Sequence, residues 1–227
     1  MFRESSEVFL FKLVIAGIRL PIIYILATCL SVEDYGAYSF LIALILFSAS
    51  LGNLGLEYSN TYYISTNKSE YSKVVSMSLL FSFFSGIILF ILTLLCWLLI
   101  NKTFSDIDFF LLLTSSFCVF FVLNKKSLNG IFVGLKNYTL YGVNNLLEWI
   151  FFLLSLIALL LIKSISIPNV MKAYLLSLLL SNVIMLLLLK RSNKIIISFS
   201  FSTLHGMIEY GYRVYLKNIF ESTALRL

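Results

Sequence analysis

The sequence predicts an all-α fold, a polytopic membrane helical bundle of six transmembrane helices and the start of a seventh. Three observations carry that prediction. Hydrophobic residues make up 60% of the chain and the mean hydropathy is +0.97, whereas a soluble domain is about half apolar. The apolar residues come in runs of about 20, the length needed to cross the hydrocarbon core. Lys and Arg gather in alternate connecting segments, as the positive-inside rule requires of a multi-pass protein.

Each span has its own justification. The run from Val8 to Leu30 carries Lys12 and Arg19 and has no small-x-small site near its end. It is too long for a signal-peptide core and reads as a retained first helix. Tyr38 to Leu56 is the second span and Val74 to Ile100 the third. Phe109 to Leu123 is the fourth, with Asp108 and Asn124 marking its ends. Tyr141 to Ile162 and Val170 to Leu189 are the fifth and sixth. The chain divides into a six-helix half over 1–190, a cytoplasmic linker over 191–208 and a seventh helix over 209–227. In that last helix Glu209, Arg213, Lys217 and Glu221 recur every fourth residue and form one stripe. Its residues reach about 28 Å at helical rise, barely enough to cross.

The charge bias places the N-terminus in the cytoplasm. Inner segments then hold Arg3, Lys68, Lys73, Lys125, Lys126, Lys136, Lys190, Arg191 and Lys194. Outer loops hold Lys102 and Lys163 beside Glu33, Asp34, Asp106 and Asp108. The net charge of +6 is thus a topology signal and not a nucleic-acid patch.

Ionisable residues within spans cost roughly 2.5–3.5 kcal/mol on insertion scales, so each needs a cavity, a partner or an interface. Lys12 and Lys172 lie near span ends and can snorkel. Arg19 lies two residues before Pro21, where a broken helical ladder could turn it towards a cavity or supply carbonyls to satisfy it. Glu148, seven residues into the fifth span, is a structural partner for Arg19 or a coupling carboxylate. Glu57 reads as interfacial. On the final stripe, Glu209 with Arg213 and Lys217 with Glu221 can pair at i, i+4. The Gly130-x-x-x-Gly134 spacing suits either close helix approach or a flexible link to the fifth span.

Nothing in the sequence supports catalysis or a cofactor. The only histidine, His205, sits in the Ser-rich linker and reads as a solvated loop residue. Cys29, Cys96 and Cys118 are scattered through apolar runs without metal or disulfide spacing. No phosphate-binding glycine loop or metal-ligand cluster is visible.

Several motifs carry a family resemblance. Leu30, Tyr35, Gly36 and Tyr38 match a first loop that typically reads Leu-Gly-Pro-x-x-Tyr-Gly-x-Tyr, with Ser31 and Val32 replacing the Gly-Pro. Gly55-Leu56 followed by Tyr62-Tyr63, and Gly134-Leu135-Lys136 followed by Tyr138, match the ends of the second and fourth spans. In order and spacing the chain resembles the polysaccharide flippases, lipid-linked oligosaccharide exporters of the multidrug/oligosaccharidyl-lipid/polysaccharide exporter superfamily. The resemblance implies two related halves around a central cavity, of which this chain looks like the first plus the opening helix of the second. It implies translocation of an undecaprenyl-diphosphate-linked oligosaccharide across the bacterial plasma membrane, for O-antigen, lipopolysaccharide or exopolysaccharide, by alternating access. Arg19, Arg213 and Lys217 are the candidate contacts for the anionic diphosphate, since Arg bonds it bidentately and Lys acts as a point charge. The expected partners are the lipid-linked oligosaccharide, membrane lipids, and a second half or a second copy. The alternatives are a truncated half-module that transports nothing and a multidrug exporter of the same superfamily.

Overall fold

The computed structural model describes residues 2–66, 71–100, 108–192 and 200–224, with side chains over 6–66, 71–95, 108–191 and 200–217. The described residues form helices throughout: α1 (Phe2–Cys29), α2 (Val32–Asn53), α3 (Leu56–Thr66), α4 (Tyr71–Ile100), α5 (Phe109–Gly134), α6 (Tyr138–Leu161), α7 (Ile167–Ser192) and α8 (Phe201–Ala224). Six of them are long and apolar enough to cross a membrane, namely α1, α2, α4, α5, α6 and α7. The chain is a multi-pass membrane protein. Lys68, Lys102, Asp106 and Lys194 lie outside the described residues, as do the side chains of Arg3, Cys96, Glu221 and Arg226.

Three boundaries differ from the sequence expectation, each for a physical reason. Glu33 and Asp34 are not loop residues but the first turn of α2, where acidic side chains complement the helix dipole. Ser31 caps that turn, its hydroxyl accepting from the Asp34 amide at 3.1 Å. The fourth span does not stop at Asn124. Instead α5 runs on to Gly134, because Lys125, Lys126 and Asn129 face protein and not lipid. The flexible link expected at Gly130–Gly134 is therefore helix. The seventh helix begins at Phe201, capped by Ser200, so His205 is an exposed helical residue and not a loop residue.

α5 is the central element, packed against α2, α3, α4, α6 and α7. Two buried clusters meet along it. One joins α1, α2, α5, α6 and α7 through Ile22, Leu41, Cys118, Phe152 and Leu178. The other joins α3, α4, α5, α7 and α8 through Ile64, Met77, Ile131, Met185 and Met207. In lipid there is no hydrophobic drive between helices, so close packing and interhelical hydrogen bonds hold them. The second cluster shows both devices. Asn60 of α3 donates to Ser78 Oγ at 2.6 Å and to the Ser127 carbonyl at 3.1 Å. Ser82 of α4 hydrogen-bonds Ser127 of α5. A Cβ at Gly130 would overlap the Glu57 carbonyl, and one at Gly134 would stand 2.8 Å from Ile64 Cβ. Both glycines serve close approach of α3 to α5.

Candidate functional site

A cavity of about 740 Å³ opens between α1, α2, α5, α6 and α7, with Glu57 of α3 at its edge. That volume suits a small-molecule or headgroup site. The sequence builds its walls by helical period. On α1, Lys12, Ile15, Arg19, Ile22 and Leu26 recur at three and four residues and line one face. On α2 the same spacing brings Tyr35, Tyr38, Ile42 and Leu46 to the cavity. α5 supplies Lys125, Lys126 and Asn129; α6 supplies Tyr141, Asn145, Glu148 and Trp149. α1 can seat against α6 because position 142 is glycine: a Cβ there would overlap the Phe11 ring.

The ionisable lining comprises Lys12, Arg19, Lys125 and Lys126 against Glu57 and Glu148, a formal excess of two positive charges. These charges are not equally available. Lys125 closes an ion pair with Glu148, and both side chains are nearly buried. The Tyr174 hydroxyl donates to the other Glu148 oxygen at 3.0 Å. Beneath the pair, the Asn144 amide donates to Asn129 Oδ1 at 2.8 Å and to the Lys125 carbonyl at 3.3 Å. This network satisfies the Glu148 carboxylate and holds it in place.

The pairing of Arg19 with Glu148 expected from the sequence does not form. Lys125 takes the carboxylate, because α5 continues past Asn124 and carries Lys125 alongside α6. The Arg19 guanidinium lies 4.1 Å from the centre of the Trp149 ring, a cation–π contact. Among the described residues no carboxylate pairs with Arg19, Lys12 or Lys126. Lys126 faces Glu57 across the cavity without closing an ion pair. Burial raises the Glu57 carboxyl above its ordinary range, and Lys126 and Lys125 partly oppose that rise.

Of the candidate residues, Arg19 and Glu148 line the cavity, whereas Arg213 and Lys217 do not. Arg213 pairs with Glu209 at 2.5 Å on an exposed face of α8, as their spacing predicted. The partner proposed for Lys217, Glu221, has its side chain outside the described residues. Sequence reasoning missed Lys126 and Lys125 as site residues, having assigned both to a cytoplasmic segment, and treated Lys12 as a snorkelling residue. The available signal was the helical period continuing through Leu128, Ile131 and Phe132 beyond the two lysines.

The fold is shared with a solved transporter of the MOP superfamily from Pyrococcus furiosus Vc1 (DSM3638), described as having a binding pocket of reverse polarity. The two superpose with a TM-score of 0.71 at 17% identity, over 99% of this chain and 53% of the other. The chain thus spans about half the length of that transporter. No curated relative matches the sequence. Residues 3–220 match the polysaccharide biosynthesis protein family, and with its apolar helices and charged intramembrane cavity the chain belongs to that family.

Proposed function

We propose that the chain forms the first half of an exporter that moves an undecaprenyl-diphosphate-linked oligosaccharide from the inner to the outer leaflet of a bacterial plasma membrane, with its N-terminus cytoplasmic. The observation that carries this reading is the cation excess inside an intramembrane cavity, with Lys12, Arg19 and Lys126 free of carboxylate pairs among the described residues. A charge left in hydrocarbon is costly, and an anionic diphosphate would compensate these three. The polyprenyl tail stays in lipid while the polar headgroup occupies the cavity. Two states open to opposite sides would then move the headgroup without covalent chemistry, each ligand event shifting their populations. Glu148, held by Lys125 and Tyr174, serves as a structural carboxylate in this scheme. Arg213 and Lys217 are a second contact on α8, where a further half would close over them.

The test is binding of undecaprenyl diphosphate to the protein in lipid nanodiscs, paired with surface polysaccharide export in cells. Substituting Lys12, Arg19 and Lys126 together by Gln should abolish both and leave membrane insertion intact. Unchanged binding in that triple variant overturns the assignment. R213Q/K217Q should reduce export while leaving binding to the first-half cavity in place. The half-length match to the solved transporter favours one other reading, a half-module completed by a second copy or another chain. Cross-linking in native membranes separates a paired half from one continuous transporter.

A further inference from the structure

Glu57 connects the cavity to a second part of the molecule through α3. This helix is short, and both of its sides are engaged. Its α5 side is fixed: Thr61 donates to the Gly130 carbonyl at 3.2 Å, and the fully buried Asn60 bonds α4 and α5 at once. Its α8 side is a smooth seat. The chain enters α3 through Leu54 and Gly55 in left-handed backbone, with φ of 44° and 75°. A Cβ at Gly55 would overlap the Gly211 carbonyl, so backbone meets backbone at that crossing. Ser59 donates to the Met207 carbonyl, and the Tyr62 ring stacks on Tyr210 with centroids 4.4 Å apart. On α3 these contacts fall at 55, 59 and 62, one helical face, and on α8 at 207, 210 and 211, also one face.

The same helix carries Glu57 into the cavity. There Lys125 and Lys126 face it from α5 and Tyr141 faces it from α6. Glu57 closes an ion pair with neither lysine among the described residues, so an anion entering at Lys126 would compete for the charge that faces Glu57. A carboxylate deprived of that charge in a low-dielectric cavity must neutralise or move. Its own carbonyl rests against Gly130 and accepts from Thr61, so the backbone of the first turn of α3, which follows Gly55 and bears Ser59, is packed directly on the helix that carries Lys126.

We propose that α3 transmits the charge state of the cavity to α8, with Glu57 as its input and the Gly55–Ser59–Tyr62 face as its output. The input rests on the cavity reading above in one respect, that an anion engages Lys126. The output does not depend on it, because removing the lysine charge withdraws the same counter-charge with no ligand present.

The experiment uses the protein in lipid nanodiscs, with Cys29, Cys96 and Cys118 replaced by Ala and spin labels on Ser65→Cys of α3 and Tyr212→Cys of α8. Both label sites are exposed. Pulsed electron–electron distance measurement should give one population for the parent. K126Q should displace it by about 1–2 Å or add a second population, the scale of helix shifts at bistable interfaces. E57Q/K126Q should return to the parental distribution. A K126Q distribution identical to the parent overturns the proposal, and so does a double variant that stays with K126Q. Inorganic pyrophosphate, titrated by calorimetry in parallel, separates the two ideas. If pyrophosphate binds the parent and α8 keeps its place, the coupling fails and the cavity reading survives. If pyrophosphate does not bind, the cavity reading fails and the K126Q comparison alone decides the coupling.

Discussion

Two Glu-to-cation pairs in this chain differ in almost everything but their chemistry. Glu148 and Lys125 meet between α6 and α5 with side chains 5% and 12% exposed. Glu209 and Arg213 meet within α8 with side chains 52% and 75% exposed. The first is fixed by a third group, Tyr174, and underpinned by an asparagine cluster; the second spans one turn of a single helix. Between them stands Glu57 facing Lys126, opposed but not closed. The gradation teaches that position relative to solvent, and not the presence of opposite charges, decides what a pair does. A buried pair is costly to break because each partner is left uncompensated, whereas an exposed pair is screened and contributes little.

The largest effect should follow from Lys125→Met. It strands the Glu148 carboxylate, and breaking a buried pair of this kind costs about 3–5 kcal/mol. The loss should appear in thermal unfolding of the protein in detergent. Adding Glu148→Leu should recover most of it, since an apolar pair of similar volume removes the stranded charge. A double variant as unstable as the single one would mean that the pair holds α5 against α6 by geometry and not by charge. Tyr174→Phe comes next. It deletes one donor to a charged acceptor, a bond worth about 1.5–3 kcal/mol. If Y174F unfolds with the parent, Lys125 alone satisfies Glu148 and the network is looser than its geometry implies.

The same gradation explains what the sequence could and could not disclose. The Glu209–Arg213 pair was legible because i, i+4 spacing is local. The six spans were legible because hydropathy over about 20 residues is local as well, and so was Asp108 as a terminus, where its carboxylate caps α5 by accepting from the Phe110 amide at 3.2 Å. Lys125 was illegible as a cavity residue because a hydropathy window cannot distinguish a polar side chain facing water from one facing another helix. That one ambiguity moved the end of the fourth span, left Lys126 out of the cavity lining and gave Glu148 the wrong partner. The second contact surface of α3 was hidden for a related reason. Gly55 and Gly211 are far apart in the chain, and only the folded crossing shows why each lacks a side chain.

Glu57 sharpens the middle of the comparison through pH. Burial raises its carboxyl above the ordinary glutamate range, with Lys126 and Lys125 lowering it part of the way back. A group with a raised folded-state value contributes stability that is full below the unfolded value and is lost as pH rises through the folded one. Stability should therefore decline as pH climbs above the ordinary glutamate range, and Glu57→Gln should flatten that part of the curve. In K126Q the decline should extend to higher pH and be larger in total, because the cation that favours ionisation in the folded state has gone. A pH profile unchanged by E57Q would assign the decline to other carboxylates and place Glu57 with the screened, exposed class.

The smallest effect belongs to Arg213→Ala. An exposed i, i+4 pair on a helix contributes about 0.3–0.5 kcal/mol, and salt screens it. Unfolding in detergent should hardly change, and raising the ionic strength should erase what difference there is. The comparison breaks if R213A destabilises the protein as much as Y174F does. Arg213 would then be held in the intact assembly by something beyond Glu209, a surface that removes it from water. Because its side chain is mostly exposed among the described residues, that surface would have to come from outside α1 to α8. The excess should then vanish in a preparation of this chain alone and return where that surface is present. Of the three Glu-to-cation pairs compared, the most exposed is for that reason the one most sensitive to a partner surface beyond the described helices.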